Sequence, residues 1–76
     1  MRYFTEAKWY NTTDIEGLVG PKRDELEAQG IVTELTRTVD AGIITAVREW
    51  PTLESAEFWA QFCLDVGAIS CITKTE

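Results

Sequence analysis

There is no histidine among the 76 residues of this chain. That removes the side chain that most often serves as general base or metal ligand near neutral pH, and with it every Ser-His or Cys-His nucleophile arrangement. Cysteine is scarce as well: Cys63 and Cys71 are the only two, and they do not form a Cys-x-x-Cys pair. No zinc-ligand spacing, phosphate-cradling glycine loop or calcium loop occurs, so neither a metal nor a cofactor is expected. No apolar run approaches the roughly 20 residues a membrane-spanning helix needs. The opening MRYFTEAKWY lacks the apolar stretch of a secretory signal, and a cytoplasmic location is the expectation. Cations are few: seven Lys and Arg stand against thirteen Asp and Glu, for a formal net charge of −6. Affinity for nucleic acid or for anionic membrane surfaces rests on clustered Lys and Arg, so neither is an expected partner. The acidity itself reads as solubility.

What remains is a small domain rich in aromatics, with three Trp, three Phe and two Tyr. Residues 1–76 make one domain. A chain this short buries only about 60% of the surface its unfolded form exposes. Ordering it costs about 1.5 kcal/mol per residue, and with no staple in the sequence a second subunit is the simplest further source of buried area. Cys63 and Cys71 are expected on a helix and a strand as buried small hydrophobes. Their spacing is compatible with a helix-to-strand disulfide, which a reducing cytosol disfavours.

The order of elements reads as βαββαβ. Arg2–Tyr10 alternates in period two with Tyr, Phe, Thr and Trp, as a strand does. Asn11, Thr12 and Thr13 are N-cap candidates for a helix over Thr13–Gln29, with Asp14 and Glu16 at its positive end. Gly20-Pro21 predicts a kink there, or two short helices with Pro21 opening the second, and Gly30 is the expected C′ residue. Ile31–Thr38 and Gly42–Trp50 flank Val39-Asp40-Ala41, which reads as a hairpin turn. Pro51 ends the second of these strands and Thr52 is placed as the next N-cap. From Leu53 onward Ala56, Trp59, Ala60, Cys63 and Val66 recur at helical spacing, Gly67 ends the helix, and Ala68–Lys74 is a last strand. The expected fold is a ferredoxin-like α+β βαββαβ sandwich. It has a four-stranded antiparallel sheet, order 4-1-3-2, with two helices on one face. A right-handed crossover is expected to set the first and third strands side by side and parallel.

Tyr3, Ala7, Trp9, Ile31, Leu35, Ile43, Val47, Ile69 and Cys71 are expected to face the helices. The opposite face then carries Phe4, Glu6, Lys8, Tyr10, Val32, Glu34, Ile44, Ala46, Arg48, Trp50, Ile72 and Lys74. Solvated sheet faces are more uniformly polar than this, and core faces carry no charge. Three readings follow: a face that meets a second sheet across a dimer, the lining of a ligand pocket with a few fixed polar groups, or an exposed face covered by Lys and Arg stems. Phe4, Glu6, Tyr10, Glu34, Arg48 and Trp50 are the ligand or interface candidates. Paired carboxylates such as Glu6 and Glu34 in an apolar pocket can do acid–base work; the plainer reading is neutralisation by Lys8, Arg48 or Lys74. Arg48 beside Trp50 suits a forked bond to an anionic ligand; an inter-subunit salt bridge is the plainer alternative. No catalytic residue is assigned.

The AQGI step at residues 28–31, Trp50 closing the third strand and the helix opening ESAEFWAQF at residues 54–62 resemble the dimeric α/β-barrel superfamily, the group that includes antibiotic-biosynthesis-monooxygenase-like proteins. The resemblance implies a ferredoxin-like monomer whose sheet packs face to face with a second copy. The barrel interior forms the pocket in catalytic members. Haem-degrading members need a histidine ligand, which this chain lacks. The expected function is therefore a small homodimeric binding or accessory protein with a sheet-face pocket for a small apolar or anionic molecule, or for a partner. A cofactor-independent monooxygenase or isomerase acting on a small aromatic or dicarbonyl compound is the alternative.

Overall fold

Bulky residues alternating from Tyr3 leave little choice but an extended conformation, and the chain forms β1 over Tyr3–Tyr10. The computed structural model describes residues 1–76, the side chain of Thr33 excepted. The remaining elements are α1 (Ile15–Ala28), β2 (Thr33–Asp40), β3 (Ile43–Trp50), α2 (Leu53–Asp65) and β4 (Ser70–Thr75). The four strands form one sheet in the order β2-β3-β1-β4, the expected 4-1-3-2 read from the other edge. All its pairings are antiparallel, giving an α+β fold consistent with a ferredoxin-like sandwich.

β1 and β3 run antiparallel, not parallel. The crossover through α1 returns the chain parallel to β1 at β2, and the hairpin then reverses it, so the strand that slips between them opposes both. That hairpin turns on Ala41-Gly42, with φ of 51° and 79°, and Asp40 pairs with Ile43. A two-residue loop with both φ positive matches the twist of the flanking strands. The turn is shorter than the expected Val39-Asp40-Ala41, and Val39 and Asp40 stay in β2.

α1 begins one residue later than the Asn11–Thr13 candidates allow. Asp14 is the N-cap, its carboxylate accepting from the Gly17 N–H at 3.1 Å. The helix then runs through Pro21 as one element rather than two. Gly20 ahead of Pro21 has no Cβ to crowd the ring, which is what disfavours helical geometry before proline. Both helices end alike. The N–H of Gly30 bonds to Glu27 O and that of Ile31 to Leu26 O; the N–H of Gly67 bonds to Leu64 O and that of Ala68 to Cys63 O. These are paired Schellman closures, and the positive φ of Gly30 and Gly67 is what they require. Thr52 caps α2 as expected, in a reciprocal box with Ser55.

One core lies between the sheet and the helices. Ala7, Trp9, Ile15, Val19, Leu26, Val32, Trp50, Ala56, Trp59, Ala60, Cys63 and Cys71 pack as a single cluster. α2 lies across β1 and β4, with less on β3. The Trp59 ring sits 5.4 Å from Trp50 and 5.5 Å from Phe62, distances at which aromatic pairs attract.

Candidate functional site

β3 presents the opposite face from the one the sequence suggested. The Trp50 indole N–H donates to Thr5 Oγ1 at 2.8 Å in the interior, and its ring rests on Trp59. With Trp50 fixed inside, the two-residue period turns Arg48, Ala46 and Ile44 inward as well. Ile43, Val47 and Leu35, expected in the core, lie on the open face, as does Ile69: they line its depressions. Glu34 turns toward the helix layer because a β-bulge between Glu34 and Thr36 shifts the register of β2, placing Glu34 opposite Arg48. Val32, also expected outside, is buried in the core.

The six candidates therefore divide. Glu34, Arg48 and Trp50 belong to the inner face, and Phe4, Glu6 and Tyr10 to the open one. Glu6 and Arg48 stand on opposite sides of the sheet, so the pocket that would combine them is not assembled. Glu6 is held by Lys74 on the neighbouring strand. Hydrogen bonding from Lys74 pulls its carboxyl below the usual range, partly opposed by desolvation.

Arg48 is 2% exposed. Its guanidinium lies over the Trp59 ring at 5.3 Å from the centroid and reaches outward to Glu34 Oε1 at 3.3 Å. Burial lowers its basicity, and the Glu34 charge opposes that; an arginine stays charged regardless. Glu34 is shared with Arg37 at 2.8 Å, Arg37 reaches Glu16 at 3.5 Å, and Arg23 grips both oxygens of Glu16 at 2.8 and 2.7 Å. An alternating chain of charge thus runs from the interior to the surface and ties β3 and β2 to α1. Among the described residues, Arg48 Nε and Trp59 Nε1 have no acceptor.

The open face has no helix over it. Phe4, Glu6, Leu35, Val47, Lys74, Thr75 and Glu76 line a shallow depression of about 560 Å³. A second, of about 360 Å³, lies toward the hairpin among Lys8, Asp40, Ala41, Ile43, Thr45 and Ile69. Ile72 and Tyr10 stand half-exposed on the same face. Two ion pairs stand on it, Lys74 with Glu6 and Arg2 with Glu49 at 2.9 Å, the guanidinium of Arg2 also covering the Phe4 ring at 4.9 Å; Lys8, Asp40 and Glu76 line its depressions as well. Leu35, Val47 and Glu76 were not among the candidates. A sequence signal for the first two was present in their β-sheet environment, but the parity of β2 and β3 was needed to use it.

The net charge is distributed unevenly between layers. α1 and α2 with their caps carry eight carboxylates against two cations, which is the whole formal charge of −6. The strands, turns and ends carry five of each sign. No protein-family model, curated protein or solved structure matches this chain. Among the described residues, no helix is long and apolar enough to cross a membrane.

Proposed function

We propose that this chain is a homodimeric binding or accessory domain whose open sheet face packs against the same face of a second copy, as in the dimeric α/β barrels it resembles. The depressions on that face would then become the interior that receives a small apolar or anionic compound. The observation that carries the reading is the coincidence of apolar surface with a charge close to balance. On a chain of −6, self-association through the helices opposes like charges, whereas the open face offers Leu35, Val47 and Ile72 among charges that nearly cancel. A two-fold axis through such a face lets Glu6 of each copy meet Lys74 of the other, the self-complementarity an isologous interface requires. Lys8 and Lys74 supply cations for an anionic ligand, and the aliphatic lining supplies the rest of its contact.

Solution mass by light scattering tests this on the wild type, Val47→Asp and Ile72→Asp. Val47 and Ile72 flank Glu6 across the sheet and neither is buried, so both variants leave the core intact. The expected outcome is a wild-type dimer and at least a tenfold weaker association in each variant, about 1.4 kcal/mol. A wild-type monomer, or variants that dimerise as the wild type does, overturns the reading. Arg48 does not probe this surface, because it is buried on the inner face and its substitution acts on the core.

A further inference from the structure

Cys63 and Cys71 are the only thiols of the chain, and neither takes part in the open-face reading. They lie on α2 and β4, are 1% and 8% exposed, and belong to one core cluster as free thiols. Three observations bring them to the same region of the core. α2 packs directly on β4. The Ala68 N–H bonds to the Cys63 carbonyl at 2.9 Å, fixing the start of the connection at Cys63 itself. Cys71 pairs with Ala7 in the middle of the sheet, which sets its side chain on the helix side beneath α2.

The surroundings of the pair are unusual for buried thiols. Thr5, one same-face step along β1 from Ala7, pairs with Arg48 of β3, so the buried guanidinium reaches the pair diagonally across one strand. Trp59, one helical turn before Cys63, supports that guanidinium from the other side. The nearby cation has only a shared carboxylate, Glu34, as its partner, which leaves its field largely uncompensated in the interior. Hydrogen bonding from Cys63 lowers the pKa of Cys71, with burial opposing it and Arg48 adding to the effect. The same contact pushes Cys63 up, and burial adds to that. Cys71 is thereby the more readily ionised and the more exposed of the pair and Cys63 the less, the division of labour between an attacking and a resolving cysteine.

We propose that Cys63 and Cys71 are a peroxide-responsive modification site that closes to an intramolecular disulfide between α2 and β4. The co-reactant is hydrogen peroxide. The Cys71 thiolate attacks one peroxide oxygen. An S–O bond forms, the O–O bond breaks, and the departing hydroxide leaves as water after taking up a proton. Cys63, giving up its proton, then attacks the Cys71 sulfenic sulfur; the S–S bond forms and the sulfenic oxygen leaves as a second water. Two thiols are oxidised by two electrons and one peroxide is reduced to two waters. Cys71 lies on β4, an edge strand of six residues, and is the more exposed of the two residues, so it is the one the peroxide meets first.

The test is hydrogen peroxide treatment of the folded protein, read by intact mass, thiol titration and a non-reducing peptide map. The expected product is a monomer lighter by two hydrogens, with Cys63 linked to Cys71 and recovered by dithiothreitol. It should form at least as fast in the native protein as in the urea-unfolded chain, where Arg48 no longer sits beside the thiols. Cys63→Ser should instead stop at a Cys71 sulfenic acid that dimedone traps. Arg48→Met, with the thiols in place, should form the link several-fold more slowly. Unreacted thiols, a link between chains only, or a faster reaction in urea would overturn the proposal; an unchanged rate in Arg48→Met would remove Arg48 from it.

Discussion

Arg48 is the residue whose environment departs furthest from what its chemistry favours. A guanidinium taken out of water is costly, and a single shared carboxylate compensates it incompletely. Two substitutions at the two ends of the pair should therefore move stability in opposite directions. Arg48→Met keeps the bulk and removes the charge, and should unfold at an equal or higher urea concentration than the wild type, by up to about 2 kcal/mol. Glu34→Ala leaves the buried cation less compensated, and should unfold at a lower one, by about 1–2 kcal/mol. If both lower the midpoint alike, the pair is a net stabiliser. Thr5 gives a simpler case. Thr5→Val retains the shape but takes the acceptor from the Trp50 indole, and a loss of about 1–2 kcal/mol in the same titration is expected. The sequence could not show this inner set. In IITAVREW both alternating series contain aliphatics, and an arginine in one of them argues for an outward face unless the partner on β2 is known. That partner, Glu34, depends on a bulge that no local pattern announces.

At the level of elements the sequence was far more legible. Helical spacing from Leu53, the Thr52 cap, and the glycines that close both helices all reflect local backbone chemistry, and each sits where local rules place it. The misplacements share one cause, which is that a neighbour outweighed a propensity. Asp14 competes successfully with Asn11, Thr12 and Thr13 as cap because Gly17 brings its N–H close. Ala41 takes a positive φ that alanine disfavours because the register of β2 and β3 demands a two-residue turn. Pro21 remains inside α1 although it offers no N–H to the Gly17 carbonyl. That last conflict is open to measurement. Pro21→Ala restores the missing donor at an exposed position and should raise stability by about 1–2 kcal/mol, since an interior proline costs about 3 while the variant gains some unfolded-state freedom. A lower urea midpoint in Pro21→Ala would mean that proline is needed to set the path of α1.

For the whole molecule, the charge chain from Arg48 to Arg23 makes the docking of α1 sensitive to acid. Hydrogen bonding from Arg23, reinforced by Arg37, holds the Glu16 carboxyl down to about 2, and Lys74 and Arg2 lower those of Glu6 and Glu49. A carboxylate whose folded value lies below its unfolded one binds its proton more readily in the unfolded chain. Its contribution is complete above the unfolded value, near pH 4.5, and is lost as the pH falls toward 2. Thermal midpoints should be level from neutrality to about pH 5 and then decline, and Glu16→Gln should flatten part of that decline. The Glu16 side chain is well exposed, so solvent screening keeps its share below about 1 kcal/mol. An identical acid profile in Glu16→Gln would show that other carboxylates dominate. The expected two-layer fold needed only element order, whereas this network needed the tertiary contacts of three elements.

The segregation of charge also bears on how many copies can gather. Two chains meeting as proposed, through their nearly neutral sheet faces, would turn their anionic helical layers outward, at opposite ends of the pair. A third chain then approaches either a surface already covered or one bearing the full negative charge of a protomer. In the proposed dimer growth would stop at two without any special contact to end it, and the pair would carry an anionic coat on both of its broad sides.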